Sequence, residues 1–198
     1  MSREQTNKPT AEADRDGYLA NHFLIAMPSL EDPNFSRSVT WICEHNSDGA
    51  MGIVINRASD VSVGELYQHL ELPISTRDIE SPVLIGGPVQ TDRGFVIHRP
   101  GSVWISTWPV SPAASLTTSK DVLQAMAQGL GPADAFIALG YAGWGAGQLE
   151  QELLDNAWLT VAADARVIFD VPLEQRWNEA AKLIGIDISR LSGVAGHG

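Results

Sequence analysis

The sequence predicts a single α+β domain built around one mixed sheet. About eight short β-rich runs and four or five helical segments follow one another without the regular strand–helix alternation of a doubly wound fold. The early runs pair off as a hairpin, and no repeat, low-complexity tract or linker interrupts residues 18–191. With 198 residues, 44% of them hydrophobic, the chain is long enough to bury a full core without disulfide or metal staples.

In chain order, residues 22–27 (HFLIAM) form an apolar run closed by Pro28, the pattern of a buried strand. Residues 38–45 (SVTWICEH) and 51–56 (MGIVIN) read as two strands joined through 46–49 (NSDG), whose Asp-Gly pair is a hairpin signal. Ser62 and Glu65 have the spacing of a capping box ahead of Leu66 and Leu70, so a short helix starts there. Residues 82–89, 94–98 and 103–108 read as three further strands, the first broken by Gly86-Gly87-Pro88. A helix opens at 117–121 and carries Val122, Leu123, Met126 and Leu130 at helical spacing. Residues 136–139 form a strand, 140–147 a glycine-rich loop and 148–155 a helix. Strands over 158–161 and 166–169 follow, then a helix opened by Pro172 that carries Leu173, Trp177, Ala181 and Ile184.

Thirteen basic residues against 24 acidic ones give a net charge of −11, which argues against a general grip on nucleic acid or anionic membrane. Beyond Tyr18 the only lysines are Lys120 and Lys182. Residues 1–17 are polar and lack an apolar segment, so they read as a disordered tail rather than a signal peptide, with the domain proper over 18–198. No apolar run is long enough to span a membrane. Cys43 is the single cysteine, which excludes an intramolecular disulfide and a multi-cysteine zinc site and suits a cytoplasmic protein.

Several groups carry candidate chemistry. On a regular strand Trp41, Cys43 and His45 share one face, and an imidazole beside a thiol would favour a reactive thiolate. Against this stands the ordinary role of a lone cysteine as a small buried hydrophobe. The run Gly140-Tyr141-Ala142-Gly143-Trp144-Gly145-Ala146-Gly147 lies where phosphate-cradling loops occur. It matches neither nucleotide fingerprint, and Glu150 and Glu152 repel an anion from the following helix start. Tyr141 and Trp144 within that run are candidates to face a partner or cover a pocket. Glu150, Glu152 and Asp155 read as a solvated acidic face, and Arg57 and Arg93 as ion-pair partners before anion sites. His22, His69, His98 and His197 have no metal-ligand spacing, no hydrolase elbow is present, and no cofactor or metal is predicted.

Taken together, certain strings resemble the bacterial YqgE/AlgH family: FLIAMP at 23–28, WICEH at 41–45, GAMGIVIN at 49–56, GGPV at 86–89, DRGF at 92–95, LGYAGW at 139–144 and GQLEQE at 147–152. RW at 176–177, AKLIGID at 181–187 and GVAGH at 193–197 extend the resemblance to the end of the chain. Trp41 departs from it, standing where a smaller aromatic is usual, and Gly198 stands in place of a final Ala. The resemblance implies a single domain with a strongly curved, barrel-like mixed sheet and flanking helices, in a bacterial cytoplasmic protein. It implies no established reaction, only a reputation for transcriptional regulation. The family signature falls on Cys43, His45, Asn56, Gly86, Gly87, Pro88, Tyr141, Trp144, Gln148 and Glu150.

The leading expectation is a non-catalytic regulatory or interaction module that binds a protein or small ligand through the glycine-rich aromatic loop. The alternative is a thiol-based sensor or enzyme centred on Cys43. A direct DNA-binding regulator ranks third because of the charge balance. Geometry discriminates among them: a site requires these residues to converge on one cleft, whereas scattering through the core makes the signature folding information.

Overall fold

A computed structural model describes residues 17–191, and within it the alternation of side chains along the strands sorts them onto two faces of one sheet. In β1 (His22–Ala26) Phe23 and Ile25 face one way and Leu24 and Ala26 the other, as period-two geometry requires. The strand pairs on one side with β2 (Val39–Asn46) and on the other with β10 (Trp158–Ala162). β2 turns through Ser47 and Asp48 into β3 (Gly49–Val54), the expected hairpin. Next come β4 (Ala58–Ser62), α1 (Val63–His69), β5 (Pro82–Ile85), β6 (Val89–His98), β7 (Thr107–Ser111) and β8 (Ala114–Thr117). The chain continues with α2 (Lys120–Ala127), β9 (Ala135–Gly145), α3 (Gln148–Leu154), β10 and α4 (Ala165–Phe169). A 3-10 turn (Leu173–Gln175) leads into α5 (Arg176–Lys182) and α6 (Ile188–Leu191).

The strands run β10-β1-β2-β3-β9-β6-β8-β7 with antiparallel neighbours, and β5 joins β9 in parallel while pairing with β4. The sheet is therefore mixed. It curls strongly into a half-barrel. One face packs Phe23, Trp41, Ile53, Phe95, Ile97 and Leu116 against Val167 and Ile168 of α4 and Ala180 and Ala181 of α5. The other is covered at one end by α3, through Leu149 against Leu24, Ile42 and Trp158, and at the other by α1 and α2, through Tyr67, Val122 and Ala127.

Ser62 does form the capping box with Glu65 and starts α1. Several expected boundaries are corrected. Residues 166–169 are helical because Asp164 accepts the Arg166 N–H as N-cap, and Val167 and Ile168 then bury a helical face in the core. Val167, Ile168 and Phe169 favour a strand by intrinsic preference, which the cap and the core packing override here. Residues 114–117 are strand β8, and α2 starts only at Lys120. Residues 103–106 lie outside the sheet, leaving Val103 87% and Ile105 85% exposed. Strand β4 was not foreseen. Residues 1–16, with nearly all of the expected tail, and His197 lie outside the described residues.

The glycine-rich segment is the largest correction. Residues 140–145 continue β9 rather than forming a loop. Gly86 donates its N–H to Leu139 O and accepts from Val54 N, so it sits where the neighbour of β9 changes from β5 to β3. A Cβ on Gly86 would collide with the Gly140 carbonyl, and one on Gly87 with the Tyr141 backbone. These glycines are there for close backbone crossing.

Candidate functional site

Cys43 and His45 do not meet. The pairing of β2 with β3 shifts register between Ile42 and Glu44, a bulge at Cys43 that resets the alternation. Cys43 packs with Trp41 and Ile53, whereas His45 stands opposite Ala50 on the other face. The thiol is 3% exposed, its Sγ donates weakly to Trp41 O, and burial pushes its pKa far up, so the environment favours the neutral thiol. This corrects the expected shared face.

His45 is instead a buried strut. Its Nδ1 accepts the Leu19 N–H at 3.0 Å, so the ring is the tautomer protonated at Nε2, which donates to Glu150 Oε1 at 2.9 Å. The Glu150 carboxyl lies below the usual carboxylate range, mainly because it accepts its own backbone N–H at the start of α3, with His45 adding to the effect. Gln148 accepts the Gly145 N–H and donates to Glu152, and Glu152 Oε2 in turn accepts both indole N–H groups, from Trp144 at 2.9 Å and Trp158 at 2.8 Å. Trp144 is thus a core side chain, 6% exposed, rather than the tip of a loop. Asn56 accepts the Val39 N–H and donates to Arg37 O, while Arg57 donates to the carbonyls of Pro33, Asn34 and Ser36. Both fasten the segment between β1 and β2. Pro88, with Gly86 and Gly87, belongs to the strand crossing described above.

Of the expected site residues, Tyr141 and Trp144 reach a common cleft. It is an open groove of about 750 Å³ between the β2–β3 hairpin and β6, β8 and β9. Met51, Phe95, Leu116 and Tyr141 form apolar ground, with Phe95 and Tyr141 in edge contact at 5.9 Å and Arg93 over the Phe95 ring. Trp108, 37% exposed, forms one wall, and Glu44 and Asp48 line the hairpin side. Sequence reasoning missed Met51, Phe95 and Trp108, because nothing local says that the 107–117 hairpin folds back toward residues 44–51.

A second cavity of about 410 Å³ shares no lining residue with the groove. It lies between α1, the segment before β5, the start of β9 and Arg176 at the head of α5. Tyr67 and Arg176, 109 positions apart, both line it, brought to one cavity only by the fold. Among the described residues no three His, Cys, Asp or Glu side chains are arranged to hold a metal ion, and no helix is long and apolar enough to cross a membrane.

Comparison with known proteins agrees with the resemblance seen in the sequence. Residues 23–189 match the family model described as AlgH-like. A UPF0301 protein of Thioalkalivibrio sulfidiphilus is 57% identical over 179 residues, covering 90% of this chain and 96% of that one. A UPF0301 protein of Nitrosococcus oceani is 54% identical over 181 residues, covering 91% and 97%. The solution structure of the AlgH protein from Pseudomonas aeruginosa superposes with a TM-score of 0.76 at 47% identity, covering 98% of this chain and 100% of that one. A crystal structure from Corynebacterium diphtheriae, 18% identical, shares the fold with a TM-score of 0.70 over 97% and 94% of the two chains. With this identity running over nearly its full length, the chain belongs to the AlgH-like family.

Proposed function

We propose that the protein is a non-catalytic cytoplasmic interaction module whose groove binds a segment of a regulatory protein partner. The observation that carries this reading is the groove itself. It is open, floored by Met51, Phe95 and Tyr141, and walled by the part-exposed Trp108. Glu44 and Asp48 beside that floor suit a partner with an apolar or aromatic anchor flanked by a basic residue. The reading as a thiol sensor or enzyme loses its physical basis, because Cys43 is sealed in the core and separated from His45 by the bulge. Regulation, on this reading, runs through a protein contact rather than through DNA.

The test is site-specific photocrosslinking in living cells, with the photoreactive residue at position 108 or, as a control on another surface, at the exposed Leu154. The groove position should give a discrete adduct that excess unlabelled wild-type protein suppresses and a Trp108→Ala/Tyr141→Ser double variant does not. The same diffuse pattern from both positions, or equal suppression by both competitors, would sink the proposal.

A further inference from the structure

Arg176 is 6% exposed and pairs with no carboxylate among the described residues. Its Nε donates to Val171 O at 2.9 Å, one Nη to Ile55 O, and its guanidinium lies 5.3 Å from the centre of the Phe136 ring. The remaining nitrogen, Nη2, has no hydrogen-bond acceptor among the described residues. Tyr67, 1% exposed, likewise has none for its hydroxyl. The described side-chain polar atoms that are both sealed and unpartnered are Ser38 Oγ, Thr40 Oγ1 and Trp104 Nε1, so the residual exposure of Arg176 and Tyr67 reaches these two donors. Both side chains line the 410 Å³ cavity.

A buried guanidinium without a counter-charge is costly, and two nearly buried donors left unpaired in one cavity of ligand size are a place for an acceptor. Burial lowers the Arg176 pKa to about 10, with Glu174 opposing, and raises that of Tyr67 to about 12, with Asp78 adding to the rise. Both groups thus keep their protons at neutral pH. The exposed Asp78, held by Ser81 Oγ at 2.6 Å, also lines the cavity and repels an anion there, a dianion about twice as strongly as a monoanion, which favours the singly charged ligand. The other walls include Val63, Leu84, Met126 and Ile137. We propose that this cavity binds a small organic carboxylate, its carboxylate on Arg176 and Tyr67 and its apolar body against Leu84, Met126 and Ile137. The site is independent of the partner groove and its reading.

Titration of the methyl-labelled full chain with 3-phenylpropionate, its neutral amide 3-phenylpropanamide and inorganic phosphate tests the assignment. The carboxylate should saturate shifts of the Met126, Leu84 and Ile137 methyls, with the amide at least about 10-fold weaker, as loss of a charge-assisted hydrogen bond implies. Phosphate should not compete. Tyr67→Phe should weaken the carboxylate about 5-fold and leave the amide unchanged, while Trp108→Ala should bind as wild type does. Equal affinity for carboxylate and amide overturns the proposal, as does tighter binding of phosphate. So does the absence of saturable shifts at these methyls up to about 10 mM ligand, beyond the millimolar limit of weak specific binding. Should Tyr67→Phe fail to fold, the wild-type comparison of the two isosteres decides alone.

Discussion

Glu152 shows how a single side chain can look like chemistry and act as architecture. In the sequence it belongs to an acidic helix face. In the fold its Oε2 bridges the indole N–H groups of Trp144 and Trp158, and those rings meet each other at 6.2 Å in a core layer with Phe35. Truncation strands two largely buried donors, so Glu152→Ala should cost about 2–4 kcal/mol in urea denaturation, with Glu152→Gln keeping part of the loss back through its remaining oxygen. A change below about 0.5 kcal/mol would mean that water replaces the carboxylate freely. Trp144 itself should be mutated with the same caution, since its loss removes a core side chain and reports on folding before it reports on binding. Residue identity in the sequence pointed to these positions, but not to which partner each one takes. Cys43 and His45 looked like a pair only because a bulge has no signature in a run such as WICEH.

At the scale of elements, what was legible is what local chemistry dictates: the β2–β3 hairpin, the capping box of α1, and the strands at 22–26 and 158–162. What was not legible depends on distant partners. Ala165–Phe169 is rich enough in β-branched and aromatic residues for a strand, yet Asp164 and the core on one side turn it into a helix. The glycine content of 140–147 reads as a loop, but Gly140, Gly143 and Gly145 belong to an eleven-residue strand, and Gly86 and Gly87 approach its backbone at close range. Gly87 is the sharpest case: at φ +155° a Cβ added there would collide with the Tyr141 backbone, which cannot move without disrupting the pairing of β9 with β6. Gly87→Ala should therefore destabilise the fold by on the order of 3 kcal/mol or more, whereas Gly147→Ala, with open space around it, should cost only its strained φ of +75°, about 1 kcal/mol. Thermal melting of both variants separates the two mechanisms. Equal losses would show that backbone conformation, not close approach, holds the crossing.

Over the whole molecule, the charge of −11 decides among partners more than it decides the fold. Of the arginines among the described residues, Arg57 is committed to three carbonyls, Arg99 to Asp134 and Asp170, Arg166 to Glu179 and Arg176 to the core. Arg190 pairs with Asp187, so among the described arginines Arg37, Arg77 and Arg93 are left over, and the groove carries Glu44 and Asp48 beside Arg93. A duplex needs several phosphates neutralised at once, and log affinity falls with log salt in proportion to their number. The full chain should accordingly fail to shift any duplex DNA in gel mobility experiments even at about 50 mM salt, where counterion release favours binding far more than at about 200 mM. Association with a protein partner at the groove should slow as salt rises if the partner brings basic residues, because screening at about 10 Å and below removes the steering. A DNA shift that strengthens steeply as salt falls would reverse this assignment in favour of direct contact with DNA. A salt-insensitive association rate would leave the groove its apolar anchor and strip the partner of its basic flank.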